Sequence, residues 1–295
     1  MDYFIQQLIN GITLGGIYVL ITTGFSIVYS VLRMMNFAHG DVYMFGVYVT
    51  ATLLLAVGFN PLLSVLFGIL VGGILAAGVE FIGYRPLRNA HPMIVIVSAI
   101  AFGWIIRNTV QLIWGARNMA FPTLFGGGVV IHIGQITVPL TQIEALAFAI
   151  LIIVCFNIFL RRHKVGHAIV SVAQDIEVAS LMGIPINRIV TVIYFIAGAM
   201  GVAGGLLYAS TYNVIFTTMG FSGTIVAFTA AIIGGLGNLS GSFVGGMVLG
   251  LAQCLSAAYL SPGYRDAITF TLLIAILLIR PQGILGQDKI EEERV

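Results

Sequence analysis

Asn36, His39 and Asp41 fall within the hexapeptide NFAHGD, beside Arg33, and are residue types able to bind a metal or move a proton. The other histidines, His91, His132, His163 and His167, are scattered through turn-like stretches, so no ligand set of metal-site spacing forms and no metal is expected. Two readings remain for the hexapeptide: its polar groups satisfy one another, or they form part of a gate. The stretch GGLGNLSGSFVGG, 234–246, has the glycine content of a phosphate-binding turn, but Ser240 stands at the required third place and no lysine follows. No G-x-x-x-x-G-K-[ST] loop, nucleophile elbow or H-E-x-x-H occurs anywhere. Trp104, Arg107, Asn108 and Gln111 share one helical face, and VAQDIEVASLMGI, 172–184, gathers a glutamine, two acids and a serine. These side chains suit binding and positioning better than covalent chemistry.

The elements that hold them are apolar. Of 295 residues 59% are hydrophobic and 8% charged, with a mean hydropathy of +1.06, against about 25% charged in soluble domains. The composition predicts an all-α, polytopic transmembrane bundle forming one domain over 1–295. Apolar segments lie near 8–32, 41–57, 62–84, 93–114, 141–160, 189–211, 221–236, 242–260 and 264–280, each to be compared with the roughly 20 residues a helix needs to cross. The seventh, short and glycine-rich at its end, suits a re-entrant segment as well as a span, giving eight or nine crossings. The N-terminus has no basic region ahead of its apolar run and reads as a retained first span. Cys155 and Cys254 lie in apolar runs and behave as small core residues.

Ten of the thirteen basic residues fall in alternate loops, with Arg33, with Arg85 and Arg88, with Arg161, Arg162, Lys164 and Arg188, and with Arg280, Lys289 and Arg294; Arg107, Arg117 and Arg265 lie opposite. The positive-inside rule makes the first set cytoplasmic, with the N-terminus outside and the C-terminus inside. The outer connection 115–140 carries GGGVVIHIGQITVPL, whose β-branched residues around Gly134-Gln135 predict a small external β-hairpin, sealing the bundle and offering a rim for docking. Glycine pairs at Gly11/Gly15, Gly68/Gly72, Gly201/Gly205, Gly241/Gly245 and Gly246/Gly250 predict close helix packing, with a hinge around Gly234–Gly241 as a further role. Asn108, Gln111 and Asn238 are candidate pathway or gate residues alongside Asn36, His39 and Asp41; for Asn108 and Gln111 the alternative is interhelical hydrogen bonding, and Arg107 could instead snorkel outward. Glu80 and Glu144, near span ends, suggest no special role, and DKIEEERV, 288–295, reads as a solvated tail.

The inner connection, 161–188, predicts an amphipathic helix over 166–183. Val165, Ile169, Val172, Ile176, Ala179 and Gly183 recur on one side, His167, Ser171, Gln174 and Asp175 on the other, with Val178 interrupting the polar face. Its polar face is short of the lysine and arginine that a lipid-surface helix uses, which favours a protein partner over a surface connector.

Glu177, Val178, Ala179 and Gly183 resemble the E-A-A-x-x-x-G loop of ABC importer permeases, and GHAIVSVAQDIEVASLMGI is similar to the loop of the branched-chain amino-acid permeases. GITLGGIYVLITTGFSIVYSVLRMMNFAHGDVYMFGVY, YRPLR, GGLGNLSGSFVGG and RPQGILG extend the resemblance over nearly the whole chain in order. The resemblance implies a permease subunit in the bacterial inner membrane, paired with a second, related permease. It also implies an external binding protein that delivers leucine, isoleucine or valine, and two cytoplasmic ATP-binding subunits. Those subunits use ATP and Mg, with no cofactor bound by this chain and no nucleic-acid partner. It implies a coupling helix whose ATPase-contact positions are Gly166, His167, Gln174, Asp175, Glu177, Ala179, Met182 and Gly183. His167 and Val170 replace basic residues usual in that loop. The resemblance also admits urea, short amides or other amino acids as cargo. A stand-alone transporter or channel would need an ion-coupling set of intramembrane acids that is not evident here, and a purely structural subunit is the third alternative.

Overall fold

The computed structural model describes residues 2–88, 90–124, 127–134 and 136–286; the tail 288–295, with Lys289 and Arg294, and Gln135 lie outside them. Helix α1 (Asp2–Leu32) is the axis of the bundle, with nearly all of its apolar window buried. Around it stand α2 (His39–Leu55), α3 (Pro61–Val79), α4 (Pro92–Trp114), α5 (Leu140–Arg162), α8 (Ile186–Tyr212), α9 (Met219–Gly234), α10 (Leu239–Tyr259) and α11 (Arg265–Ile279). Two short helices, α6 (Lys164–Gln174) and α7 (Ile176–Leu181), form the connection between α5 and α8. The nine bundle helices correspond one for one to the nine apolar segments. Helix starts follow local chemistry: Asn60 and His91 each cap the N–H two residues on (2.9 and 3.3 Å), each followed by proline at the first helical position.

Among the described residues seven helices are long and apolar enough to cross a bilayer, α11 counting together with the 3-10 turn Pro262–Tyr264 that leads into it; α2 and α9, at 17 and 16 residues, are shorter. At 1.5 Å per residue they reach about 26 and 24 Å, short of a core of about 30 Å. The reason is that both begin inside the bundle. His39, the first residue of α2, donates from Nε2 to the Ile21 carbonyl (3.1 Å), eleven residues before α1 ends. The α9 start meets it there: Tyr43 donates to the Met219 carbonyl (2.6 Å), and the Gly40 N–H to Thr224 Oγ1 (3.0 Å). The non-helical stretches 33–38 and 213–218 make up the missing length. Irregular backbone is tolerated at such depth because protein surrounds it; Asn36, Ala38, Ile215 and Thr217 are all buried.

Glycine sets the closest helix approaches. A Cβ on Gly250 of α10 would stand 2.4 Å from the Gly15 backbone of α1, and one on Gly234 of α9 only 2.2 Å from the Gly241 carbonyl carbon of α10. The glycine pairs are therefore packing surfaces, as their spacing predicts.

At one end the chain is closed by the connection between α4 and α5. Strand β1 (Met119–Ala120) pairs antiparallel with β4 (Val214–Ile215), and β2 (Val130–Ile133) with β3 (Ile136–Pro139). The second pair is the expected hairpin, with Gly134 at φ +66°. It rests on α1 through the Thr137 N–H to Gln6 Oε1 (2.8 Å), while Phe121 is buried and the Leu124 N–H reaches Ser210 Oγ (3.0 Å). The loop thus packs over this end of the bundle. The β1–β4 pairing has no sequence signal, since two-residue strands show no periodicity.

Candidate functional site

The opposite, basic end carries α6 and α7. His163, stacked on Phe159, caps α6 through Nδ1 to the Val165 N–H (3.3 Å). The predicted single helix over 166–183 is corrected to two. Asp175 takes an extended conformation, and one of its carboxylate oxygens accepts from the N–H groups of Glu177 (2.8 Å) and Val178 (2.9 Å). An aspartate free to cap a new helix breaks the old one, because capping satisfies N–H groups that a new first turn leaves orphaned. α7 ends at Leu181 and the chain turns at Gly183, φ +78°, with the Ile184 N–H returning to the Ala179 carbonyl (3.2 Å) and Pro185 following.

Of the eight predicted contact positions, Gly166 and Ala179 face the bundle. A Cβ on Gly166 would lie 2.2 Å from the Phe159 carbonyl oxygen, and Ala179 is buried with Ile169 and Val172 against α8. His167, Gln174, Asp175, Glu177, Met182 and Gly183 are exposed. The exposed side is less polar than the periodicity predicts. Leu181 is 87% exposed and Met182 78%, and Val170, Ile176 and Val178 join them. A protruding apolar tip flanked by Gln174 and Glu177 and poor in basic charge matches a protein partner better than anionic lipid.

Directly behind this surface, α8 is tied to α3 by a buried carboxylate. Glu80, fully buried, begins a π-helical turn (Glu80–Tyr84) that extends α3. It accepts from Arg85 Nη2 (3.1 Å) and Nε (3.3 Å), from Arg88, and from Thr191 Oγ1 of α8 (2.8 Å); Arg88 also reaches Asn187 Oδ1 (2.7 Å). This corrects the expectation that Glu80 has no special role. The arginines five and eight residues on were the available signal, but Thr191 and Asn187 arrive only through packing.

The side chains of Asn36, His39 and Asp41 each find partners, and no hydrogen bond joins one of these side chains to another. Asn36 Oδ1 accepts from the Tyr84 hydroxyl (2.9 Å) and the Ala38 N–H (3.1 Å), and His39 is held by α1. Asp41 receives Arg107 of α4 through Nε (3.0 Å) and Nη2 (2.9 Å). The starts of α2 and α9 meet beside this carboxylate, and the positive ends of two helix dipoles favour its charge. Arg107 therefore turns inward and does not snorkel. Trp104 and Asn108 point out of the bundle, with Asn108 Nδ2 on the Trp104 carbonyl (2.8 Å), while Gln111 reaches Thr217 Oγ1 (3.3 Å). Asn238 caps α10 through the N–H groups of Ser240 (3.0 Å) and Gly241 (3.2 Å) and donates to the Leu285 carbonyl (2.8 Å). Asn108 and Asn238 share no hydrogen bond with the NFAHGD groups.

A long bundle with two helices starting at depth, a lid at one end and an unpartnered helical tip at the other defines a multi-pass membrane protein of the permease class. The family model described as branched-chain amino acid transport system / permease component matches residues 7–277, and the chain belongs to that family. It is 38% identical to the high-affinity branched-chain amino acid transport system permease protein LivH of Escherichia coli (strain K12), over 98% of each chain. It is 35% identical to BraD of Pseudomonas aeruginosa over 98% of each. It is 28% identical to a probable LivH of Methanocaldococcus jannaschii over 95% of this chain and 91% of that one. The solved PsaBC from Streptococcus pneumoniae in complex with Fab has the same fold at a TM-score of 0.50, with 13% identity, covering 96% of this chain and 93% of that one. As a permease component the chain is one part of a transport system of several components.

Proposed function

We propose that this chain is the membrane-spanning subunit of an ATP-driven importer that carries leucine, isoleucine and valine into the cytoplasm of a bacterium. The observation that carries the reading is the identity to LivH of Escherichia coli along 98% of both chains. The protein lies in the inner membrane with α6, α7 and the C-terminus in the cytoplasm, and the N-terminus and β2–β3 hairpin outside, as the basic-residue distribution favours. An external binding protein delivers cargo at the hairpin end, and a second, related permease completes the path. Two cytoplasmic ATP-binding subunits hold ATP and Mg and do the hydrolysis, since this sequence carries no phosphate-binding loop. One of them seats the α7 tip, with Leu181 and Met182 as anchors and His167, Gln174, Asp175 and Glu177 around them. Gly166 and Ala179 fix the helices to the bundle, and Gly183 allows the turn into α8. ATP-driven motion then reaches α8, and through Thr191 and Glu80 it reaches α3.

The test is reconstitution of the chain with its cognate permease, ATP-binding subunits and binding protein, followed by ATP-dependent uptake of labelled leucine, isoleucine and valine beside urea, short amides and other amino acids. Uptake restricted to the branched aliphatic set supports the cargo. Uptake of an amide instead would change the cargo and leave the importer. Transport by the chain without ATP-binding subunits would overturn the reading as a whole.

A further inference from the structure

At the hairpin end, a cavity of about 300 Å³ opens between the start of α1, the start of α5 and the ends of α8 and α10. One wall carries Arg265, the first residue of α11, which is partly buried. Its Nε is buried with no hydrogen-bond partner, and the guanidinium makes no ion pair among the described residues. Asp266, next in sequence, is exposed and does not pair with it. The side chain instead lines the cavity, whose wall also carries Tyr212 and Cys254. A cation at a helix N-terminus also opposes the helix dipole, so local structure gives Arg265 no reason to be there.

The groups below the cavity cannot serve as the missing partner because they are already paired. Tyr18 donates to Gln253 Oε1 (2.6 Å), Gln253 Nε2 to Thr269 Oγ1 (2.6 Å), and Thr269 Oγ1 to the Arg265 carbonyl (2.9 Å). On another wall, Gln142 of α5 donates from Nε2 to Asn10 Oδ1 (3.1 Å), and its own Oε1 is buried without a partner. The rest of the lining mixes polar Gln7, Thr211 and Tyr212 with apolar Leu14, Ile17 and Ala257. A buried guanidinium Nε and a buried amide oxygen, both without a partner among the described residues, are costly arrangements that a polar ligand would relieve.

We propose that this cavity binds a small carboxylate-bearing solute, with Arg265 holding the carboxylate, Gln142 Oε1 accepting from an ammonium group and the Leu14, Ile17 and Ala257 side of the lining taking an aliphatic side chain. This is the pattern of a free amino acid, and the cavity has room for one. Naming the occupant as arriving cargo rests on the import reading above; the binding chemistry does not.

Saturation-transfer NMR on the purified transport complex in lipid nanodiscs tests it with three probes: L-leucine, isocaproate, which keeps the carboxylate and lacks the amine, and isoamylamine, which keeps the amine and lacks the carboxylate. The wild type should bind leucine and isocaproate and not isoamylamine. Arg265→Gln should weaken leucine binding by about tenfold or more, the loss expected for a charge-assisted hydrogen bond. Arg265→Lys should recover part of it, and Gln142→Leu should weaken leucine while sparing isocaproate. Co-elution of the variants with the partner subunits checks assembly. Equal binding of leucine by wild type and Arg265→Gln overturns the proposal. So does binding of none of the probes, including the case in which Arg265→Gln abolishes docking of the binding protein, which would make the arginine a contact for an acidic protein side chain. A complex that binds isocaproate through Arg265 yet imports a different solute keeps the cavity and loses the cargo.

Discussion

Two buried carboxylates, Asp41 and Glu80, are held by arginine in different ways. Asp41 meets a single arginine from 66 residues away, deep in the bundle, where the starts of α2 and α9 also converge. Glu80 meets two arginines five and eight residues further along the chain and a threonine from α8, at the end of the bundle that carries α6 and α7. The Asp41 pair closes a junction of three helices and has no spare partner. The Glu80 cluster has alternatives: Arg85 also donates to Thr191 (2.7 Å), and Arg88 to Asn187. A contact with alternatives can shift without leaving a charge bare, which suits a joint behind a moving surface. A contact without them suits a fixed core.

The largest effect should come from breaking the Asp41 pair. Asp41→Ala leaves Arg107, 17% exposed, as a buried cation and should cost about 3–5 kcal/mol. Thermal unfolding in detergent should show a large fall in midpoint, and Asp41→Leu combined with Arg107→Met should recover much of it. Failure of the double variant to recover any stability would mean that the cost lies in packing and not in the bare charge. Glu80→Gln removes one charge and keeps an acceptor for Thr191, so a smaller loss of about 1–3 kcal/mol is expected, together with weaker coupling of ATP hydrolysis to uptake. A Glu80→Gln protein with unchanged coupling would reduce the cluster to a structural fastening, like Asp41.

Gly183→Val forces a β-branched residue to φ +78° and should cost about 1–3 kcal/mol while uncoupling hydrolysis from uptake. Substrate-stimulated hydrolysis and uptake at wild-type levels in this variant or in Glu177→Lys would remove α7 from the coupling role. The smallest stability effect belongs to Leu181→Asp with Met182→Lys. Both side chains are mostly exposed, so the melting temperature should hold within about 0.5 kcal/mol of stability. Co-purification of the ATP-binding subunits should nevertheless be lost; their retention would place the contact elsewhere.

The α6–α7 connection shows how far pattern reading reaches. Its location, its buried positions Ile169, Val172 and Ala179, and its glycine stop are all legible in three- and four-residue spacing and turn chemistry. The break at Asp175 is not, because the same aspartate is acceptable within a helix or as a cap, and only the competing packing of two faces decides. Val178 looks like a flaw in a polar face, yet the structure places it in an exposed apolar tip with Leu181 and Met182. Arg265 reads as one of three basic residues on the outer side, and nothing local reveals that it turns into a cavity.

The sequence by itself determined the class, the nine apolar segments, the hairpin at Gly134 and the glycine surfaces, because these depend on composition and short-range periodicity. Tertiary structure alone decided that α2 and α9 begin at depth, that Asp41 takes Arg107, that Glu80 reaches Thr191 and that Arg265 Nε meets no partner among the described residues. Each of those is a meeting of residues on different helices, with no period or spacing to announce it. In a bundle that is apolar nearly throughout, hydrophobicity says only that a helix is in the membrane; the few polar groups gain meaning from which neighbour they meet.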